Sequence, residues 1–142
     1  MPSFGPTSQQ RLATCHPDLQ ALFNAVIVEM DCTILCGHRN QADQNRAFAE
    51  NNSRVQWPNG KHNSMPSMAV DAGPYFAEIG NVDWDDIKAF CIFGGRVIQT
   101  ACYLRSIGQM SHGLRYGGDW DGDGRTLDQQ FNDLVHFELI AP

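Results

Sequence analysis

The sequence has no apolar run approaching the roughly 18 residues that a membrane-spanning helix requires, and no membrane insertion is expected. It also has no basic run. Ten Lys and Arg stand against 16 Asp and Glu, for a net charge of −6 and a pI near 5.1. A chain of this sign lacks the field that holds a polyanion, so nucleic acid is excluded as the main partner. The opening stretch MPSFGPTSQQRLATCHPDL has no charged segment followed by an apolar core, so no secretory signal is visible and synthesis in the cytoplasm is expected. Five cysteines (Cys15, Cys32, Cys36, Cys91 and Cys102) are an odd number, and Cys32-x-x-x-Cys36 has no second pair to complete a zinc site. They read as reduced, mostly buried thiols.

What is present is enough for one packed domain. The chain has 142 residues, 42% hydrophobic and 18% charged, and a chain of this length buries roughly two thirds of its unfolded surface. Residues 1–7, with two Pro and a Gly, read as a loose arm. A helical pattern follows from Ser8, its candidate cap, and Pro17 divides it into a short and a longer helix. CTILCG (32–37) reads as a buried strand, RNQADQNRAFAE (39–50) as a helix, and the Asn-, Ser-, Pro- and Gly-rich 51–67 as a long loop. MAVDAG (68–73) is a second strand. The longest helix follows, with Asp83 as candidate cap and Gly94–Gly95 inside it, where close packing is expected. GLRYGG, a loop, and a final strand VHFELI (135–140) complete the pattern. Helices and short scattered strands make an α+β fold with a small antiparallel sheet.

Two histidines keep company with acids. His62 ends the long loop, and Asp71 lies nine positions on in a strand, with NSMPS between them to let the chain turn back. His136 opens the last strand. Asp133 lies three residues earlier, and residues i and i+3 of a straight strand face opposite sides, so Asp133 must lie in the preceding turn to share a site. Two imidazoles and one carboxylate suit zinc, leaving a fourth position for water, and a further carboxylate can accept that water's proton. Each residue alone has a blander reading: a loop histidine near solvent for His62, a satisfied core histidine for His136.

The order of these motifs resembles a known family. HNSMPSMAVDAGPY with a late DLVHFEL is similar to the LAS zinc peptidases of the D-Ala-D-Ala carboxypeptidase family, and within it to the phage L-alanyl-D-glutamate endopeptidases, the endolysins. RLATCHPDLQALFNAVI and CGHRNQADQNRAF match further segments, so the resemblance runs from about Arg11 to the C-terminus. It implies a Hedgehog/DD-peptidase-like zinc fold, with His62, Asp71 and His136 as zinc ligands and Asp133 as general base. It also places Arg39 near the substrate carbonyl or carboxylate, with Gln44 as its partner. The family often carries Ser two residues before the ligand histidine, where this chain has Gly60. The resemblance implies hydrolysis of the peptidoglycan stem peptide at the L-Ala–D-Glu bond by a monomeric peptidase without a separate wall-binding domain. It also implies release from the host cytoplasm through a holin-type pore. The alternatives are a D-Ala-D-Ala carboxypeptidase or dipeptidase, and an inactive zinc-stabilised wall-binding module.

Three further groups are candidates. His38, at a strand end beside Arg39, is a candidate for lining the site, and Tyr116 and Trp120 for bordering a substrate groove. His112 is weighed as a cleft residue or a strand-end one. Asp119, Asp121 and Asp123 alternate before Gly124, as in the first half of an EF-hand loop, and are candidate calcium ligands. Position 12 of that loop is Gln130 rather than Glu, with Asp128 as a substitute from position 10; the bland reading is a solvated turn.

Overall fold

Prolines open the first two helices. Pro6 and Pro17 occupy first-turn positions, where a missing N–H costs nothing, and the computed structural model, which describes residues 1–142, places α1 at Pro6–Ala13 and α2 at Pro17–Glu29. His16 caps α2 by accepting the Asp18 N–H at Nδ1, 3.0 Å away. The helix therefore begins before Ser8. Ser8 is no cap: it is buried, its hydroxyl accepts the Ile34 N–H at 3.0 Å and pairs with Thr33 Oγ1 at 3.1 Å, tying α1 to the sheet. Nor is the arm loose throughout, because Phe4 packs into the core.

Strand β1 (Cys32–Cys36) leads through Asn40, which caps α3 (Gln41–Ala49) by accepting the Asp43 N–H. A long loop holds one 3-10 turn, Lys61–Asn63, and then enters β2 (Ala69–Pro74). Helix α4 (Ile87–Ser106) starts later than the sequence suggests. Asp86 is its cap, accepting the Ala89 N–H, whereas Asp83 closes a turn onto Asp85. Strands β3 (Gly113–Tyr116) and β4 (His136–Ile140) end the chain, with residues 117–135 between them.

The sheet is antiparallel throughout, in the order β1-β2-β4-β3. This is the expected α+β architecture, and alternation divides its two faces. Val70, Ala72, Tyr116, Phe137 and Leu139 point into the core beneath α2 and α4, against Leu22, Phe23, Phe93 and Val97. Each fully buried side chain of this size contributes about 1.5–3 kcal/mol. Gly94 sits where α4 meets the Tyr116 ring; a Cβ there would approach Tyr116 to 2.4 Å. The expectation of close packing holds for Gly94 and fails for Gly95, which has open space around it. The opposite face of the sheet, carrying Asp71, Arg115, His136 and Glu138, opens into a cleft.

Candidate metal centre and cleft

Strand register brings two of the functional side chains together. Asp71 and His136 are paired across β2 and β4, so their side chains stand side by side on the cleft face. The third comes from the 3-10 turn. The Arg39 N–H donates to the His62 carbonyl at 2.8 Å and the Met68 N–H to that of Lys61 at 3.0 Å, locking this turn against the sheet edge. His62 Nε2 then lies 3.1 Å from Asp71 Oδ1 and 3.3 Å from His136 Nδ1, and His136 Nδ1 lies 3.2 Å from the same Oδ1.

These separations are compatible with metal ligation. In a tetrahedral zinc site with bonds of about 2.0–2.1 Å, neighbouring donor atoms lie about 3.3 Å apart. The outward-facing ring nitrogens settle the tautomers. His62 Nδ1 is 2.8 Å from the Gly37 carbonyl, which can only accept, so that nitrogen bears hydrogen and leaves Nε2 for the triad. His136 Nε2 is 3.0 Å from Glu138 Oε1, which fixes the proton there and leaves Nδ1. The donor set therefore fits a divalent cation, with the backing acceptors that such ligands require. The Gly37 carbonyl orients His62, and a Cβ at Gly60 would press on Asn63 Oδ1 at 2.6 Å.

Without an ion, the carboxylate holds protons on the rings. Burial works to lower the His62 pKa, but Asp71 more than reverses it and the ring is pushed up to about 10. His136 is pushed up to about 9, burial again being outweighed by Asp71 and Glu138. Asp71 itself is held far below the usual carboxylate range, its own burial being overcome by the two rings. Asp133 behaves oppositely. It sits in the turn before β4, where its N–H donates to the Gly117 carbonyl and its carbonyl accepts the His136 N–H. Burial, helped by the charge of Asp71, raises its carboxyl to about 6 against the opposing pull of His136, His62 and Arg39. It lines the same cleft, of about 630 Å³, as the triad.

Arg39 also lines this cleft. Its guanidinium donates to Asp71 Oδ2 at 3.4 Å and to Gln44 Oε1 at 3.1 Å. Gln44 pairs with Arg39, as the resemblance implies, and has no group left over for a substrate. It is buried, its Oε1 accepts from Arg39 and Asn63, and its amide donates to Ser53 Oγ and the Val55 carbonyl. With both donors and both acceptor positions engaged, it is a bracket for Arg39 and the loop.

Tyr116 is corrected outright. It faces the core, stacks on Phe137 at 4.8 Å, and donates its hydroxyl to the Leu134 carbonyl at 2.8 Å. Alternation puts its neighbour Arg115 on the cleft face instead. His38 does not line the cleft; its Nδ1 lies 2.9 Å from the Ser64 carbonyl. Trp120 does line it, with its ring 5.6 Å from His136. Glu138 escaped the sequence reading, although its signal was there: two residues after His136 on a strand, it shares that histidine's face.

Two other clusters have their hydrogen bonds accounted for. Asp18 Oδ2 accepts from the Ser111 N–H and hydroxyl and from the His112 N–H, and lies 2.8 Å from His112 Nδ1. With His16 these residues form a second His–Asp–His group, which joins the start of α2 to the approach to β3 rather than bordering the cleft. In the acidic loop, Asp119 accepts the N–H groups of Asp123 and Gly124, and Asp123 accepts that of Arg125. Such turns form without an ion, and the calcium expectation gains no support.

Fold and site together define a class: an α+β hydrolase domain whose sheet presents a metal-ready donor set beside an unpaired carboxylate in an open cleft. Comparison with known proteins narrows this. A family model described as phage L-alanyl-D-glutamate peptidase matches residues 2–140, and the chain belongs to that family. The L-alanyl-D-glutamate peptidase of Escherichia phage T5 is 29% identical over 142 residues, covering 96% of this chain and 97% of that protein. The crystal structure of the Serratia marcescens L-Ala D-Glu endopeptidase ChiX superposes with a TM-score of 0.70 at 20% identity. It covers 97% of this chain and 90% of that one, a likeness of fold.

Proposed function

We propose that this protein is a zinc-dependent endopeptidase that hydrolyses the L-Ala–D-Glu bond of the peptidoglycan stem peptide, acting as a phage lysis enzyme. One observation carries the reading: three donor atoms of His62, Asp71 and His136 converge at 3.1–3.3 Å beside Asp133, whose carboxyl oxygens accept no hydrogen bond from the protein. Membership of the peptidase family supplies the substrate class.

His62, Asp71 and His136 would hold the ion. Zinc bound there supplies Lewis acidity toward a peptide carbonyl and toward water, whose pKa falls from about 15.7 to about 7. Asp133 is the general base: with its carboxyl near 6 it is ionised at neutral pH, takes a proton from the attacking water and returns it to the leaving amine nitrogen. Arg39, steadied by Gln44 and Asp71, has remaining N–H groups for the negative charge that develops on the carbonyl oxygen. Trp120 walls the cleft beside His136, its ring 5.6 Å from the imidazole. No helix is long and apolar enough to cross a membrane, and the proposed lysis role has the protein reach the wall through a pore made by another protein.

The test is digestion of purified peptidoglycan, with mass spectrometry of the new termini. Fragments with a new D-Glu amine support the proposal. Release of D-Ala supports a carboxypeptidase, and no cleavage in the presence of added zinc refutes both. Activity lost to a chelator and restored by zinc supports the metal assignment.

A further inference from the structure

The cleft gathers cations beside the acids Asp71, Asp133 and Glu138. Arg39, Arg54, Lys61 and Arg115 all line it, out of ten Lys and Arg in a chain of net charge −6. Three of the four are engaged. Arg39 is bound to Asp71 and Gln44; Arg115 donates to Glu138 Oε2 at 2.9 Å; Lys61 donates to the Leu139 carbonyl at 2.8 Å and lies 3.9 Å from Glu138 Oε2. Arg54 has no hydrogen bond and no ion pair. Its guanidinium carbon sits 4.4 Å from the centre of the Phe131 ring.

That contact positions Arg54 without using its donors. A guanidinium stacked on a ring keeps its in-plane N–H groups free, in the fork that suits a carboxylate. The ring beneath it belongs to a continuous wall. Phe131 stacks on Trp120 at 6.3 Å and 15°, and Trp120 lies 5.6 Å from His136. An aromatic surface thus runs from the metal-binding triad outward to an unengaged cation.

Substrate chemistry supplies the matching group. Glutamate has one amine and two carboxyl groups. When alanine acylates the amine and the chain continues through one carboxyl, the other remains as a free carboxylate beside the scissile bond. We infer that Arg54 is a specificity-determining residue that binds this free glutamyl carboxylate, with Phe131 and Trp120 as the wall on which the peptide lies. The inference rests on the proposed endopeptidase function and moves the carboxylate anchor from Arg39, whose remaining N–H groups are assigned to the carbonyl oxygen, to Arg54.

Two synthetic peptides test it: one with the free carboxylate of the D-Glu residue, and one with that group as the carboxamide. The wild-type protein should favour the carboxylate peptide by roughly ten- to a hundredfold in kcat/KM, the range for a charged hydrogen-bonded pair. In Arg54→Gln the preference should collapse toward unity, mainly through a higher KM for the carboxylate peptide, with zinc content at the wild-type level. Arg54→Lys should restore part of it. An unchanged preference in Arg54→Gln, or none in the wild type, would overturn the inference while leaving the peptidase function standing. Failure of the wild type to cleave either peptide would refute the function itself, and the inference with it.

Discussion

Replacing Glu138 by alanine isolates what a backing carboxylate does for a metal ligand. Glu138 is almost fully buried, and its Oε1 accepts the His136 Nε2 proton at 3.0 Å. A hydrogen bond to a buried charged acceptor contributes about 1.5–3 kcal/mol. That bond also confines His136 to the tautomer that presents Nδ1 to the triad. Losing such a partner costs ligand sites roughly 10- to 100-fold in metal affinity, equivalent to about 1.4–2.8 kcal/mol, in line with the hydrogen-bond figure. The exposed arm of the network, from Glu138 to Arg115, adds about 1 kcal/mol or less. Glu138→Ala should therefore weaken zinc binding by one to two orders of magnitude, measured by competition against a chelator of known affinity. Glu138→Gln retains an acceptor oxygen but no charge, and should fall between the two. If Glu138→Ala folded normally and bound zinc within twofold of the wild type, the claim that this carboxylate fixes the ligand tautomer would be refuted.

Three further outcomes are expected. Asp133→Ala should lower kcat by about 10²- to 10⁴-fold, the usual contribution of a general base, while zinc content by elemental analysis stays at the wild-type level; full activity would remove Asp133 from its role. Asp18 has its carboxyl lowered to about 2, because the Ser111 and His112 donors overcome the effect of its burial. Its folded pKa lies below the unfolded value of about 3.9, so its contribution is complete above that pH and is lost as pH falls toward 2. Denaturant unfolding should show Asp18→Ala less stable by about 2 kcal/mol near neutrality, a deficit that narrows by roughly 1–2 kcal/mol in acid; a deficit that widened in acid would contradict the sign. Finally, thermal melts should separate the adjacent glycines of α4. Gly94→Ala drives a methyl into the Tyr116 ring and should cost about 1–3 kcal/mol, while Gly95→Ala meets open space and should gain about 0.5–1 kcal/mol.

Much of this architecture was legible in the order of residues. The strands around Asp71 and His136 are short, apolar and bounded by turn formers. The argument that Asp133 must lie in the turn before β4 needed only the period of a strand. What escaped was set by contacts between distant segments. Ser8 has the chemistry of a cap, but Thr33 and Ile34, 25 and 26 residues away, claim its hydroxyl. Gln44 has the chemistry of a substrate ligand, but Asn63, Ser53 and Val55 surround it. Tyr116 and Arg115 are adjacent, and only the register of β3 against β4 decides which one enters the cleft. Glu138 was within reach, since strand alternation alone places it beside His136. Arg54 was not, because its neighbour Phe131 is 77 positions away in another loop.

The convergence of His62, Asp71 and His136 on one ion is tested most directly by titrating metal-free protein with zinc in a calorimeter. One ion bound per chain, with binding abolished in His62→Ala and in Asp71→Ala, is the predicted result. A wild-type protein that takes up no zinc, or variants that bind it as tightly as the wild type, would contradict the account.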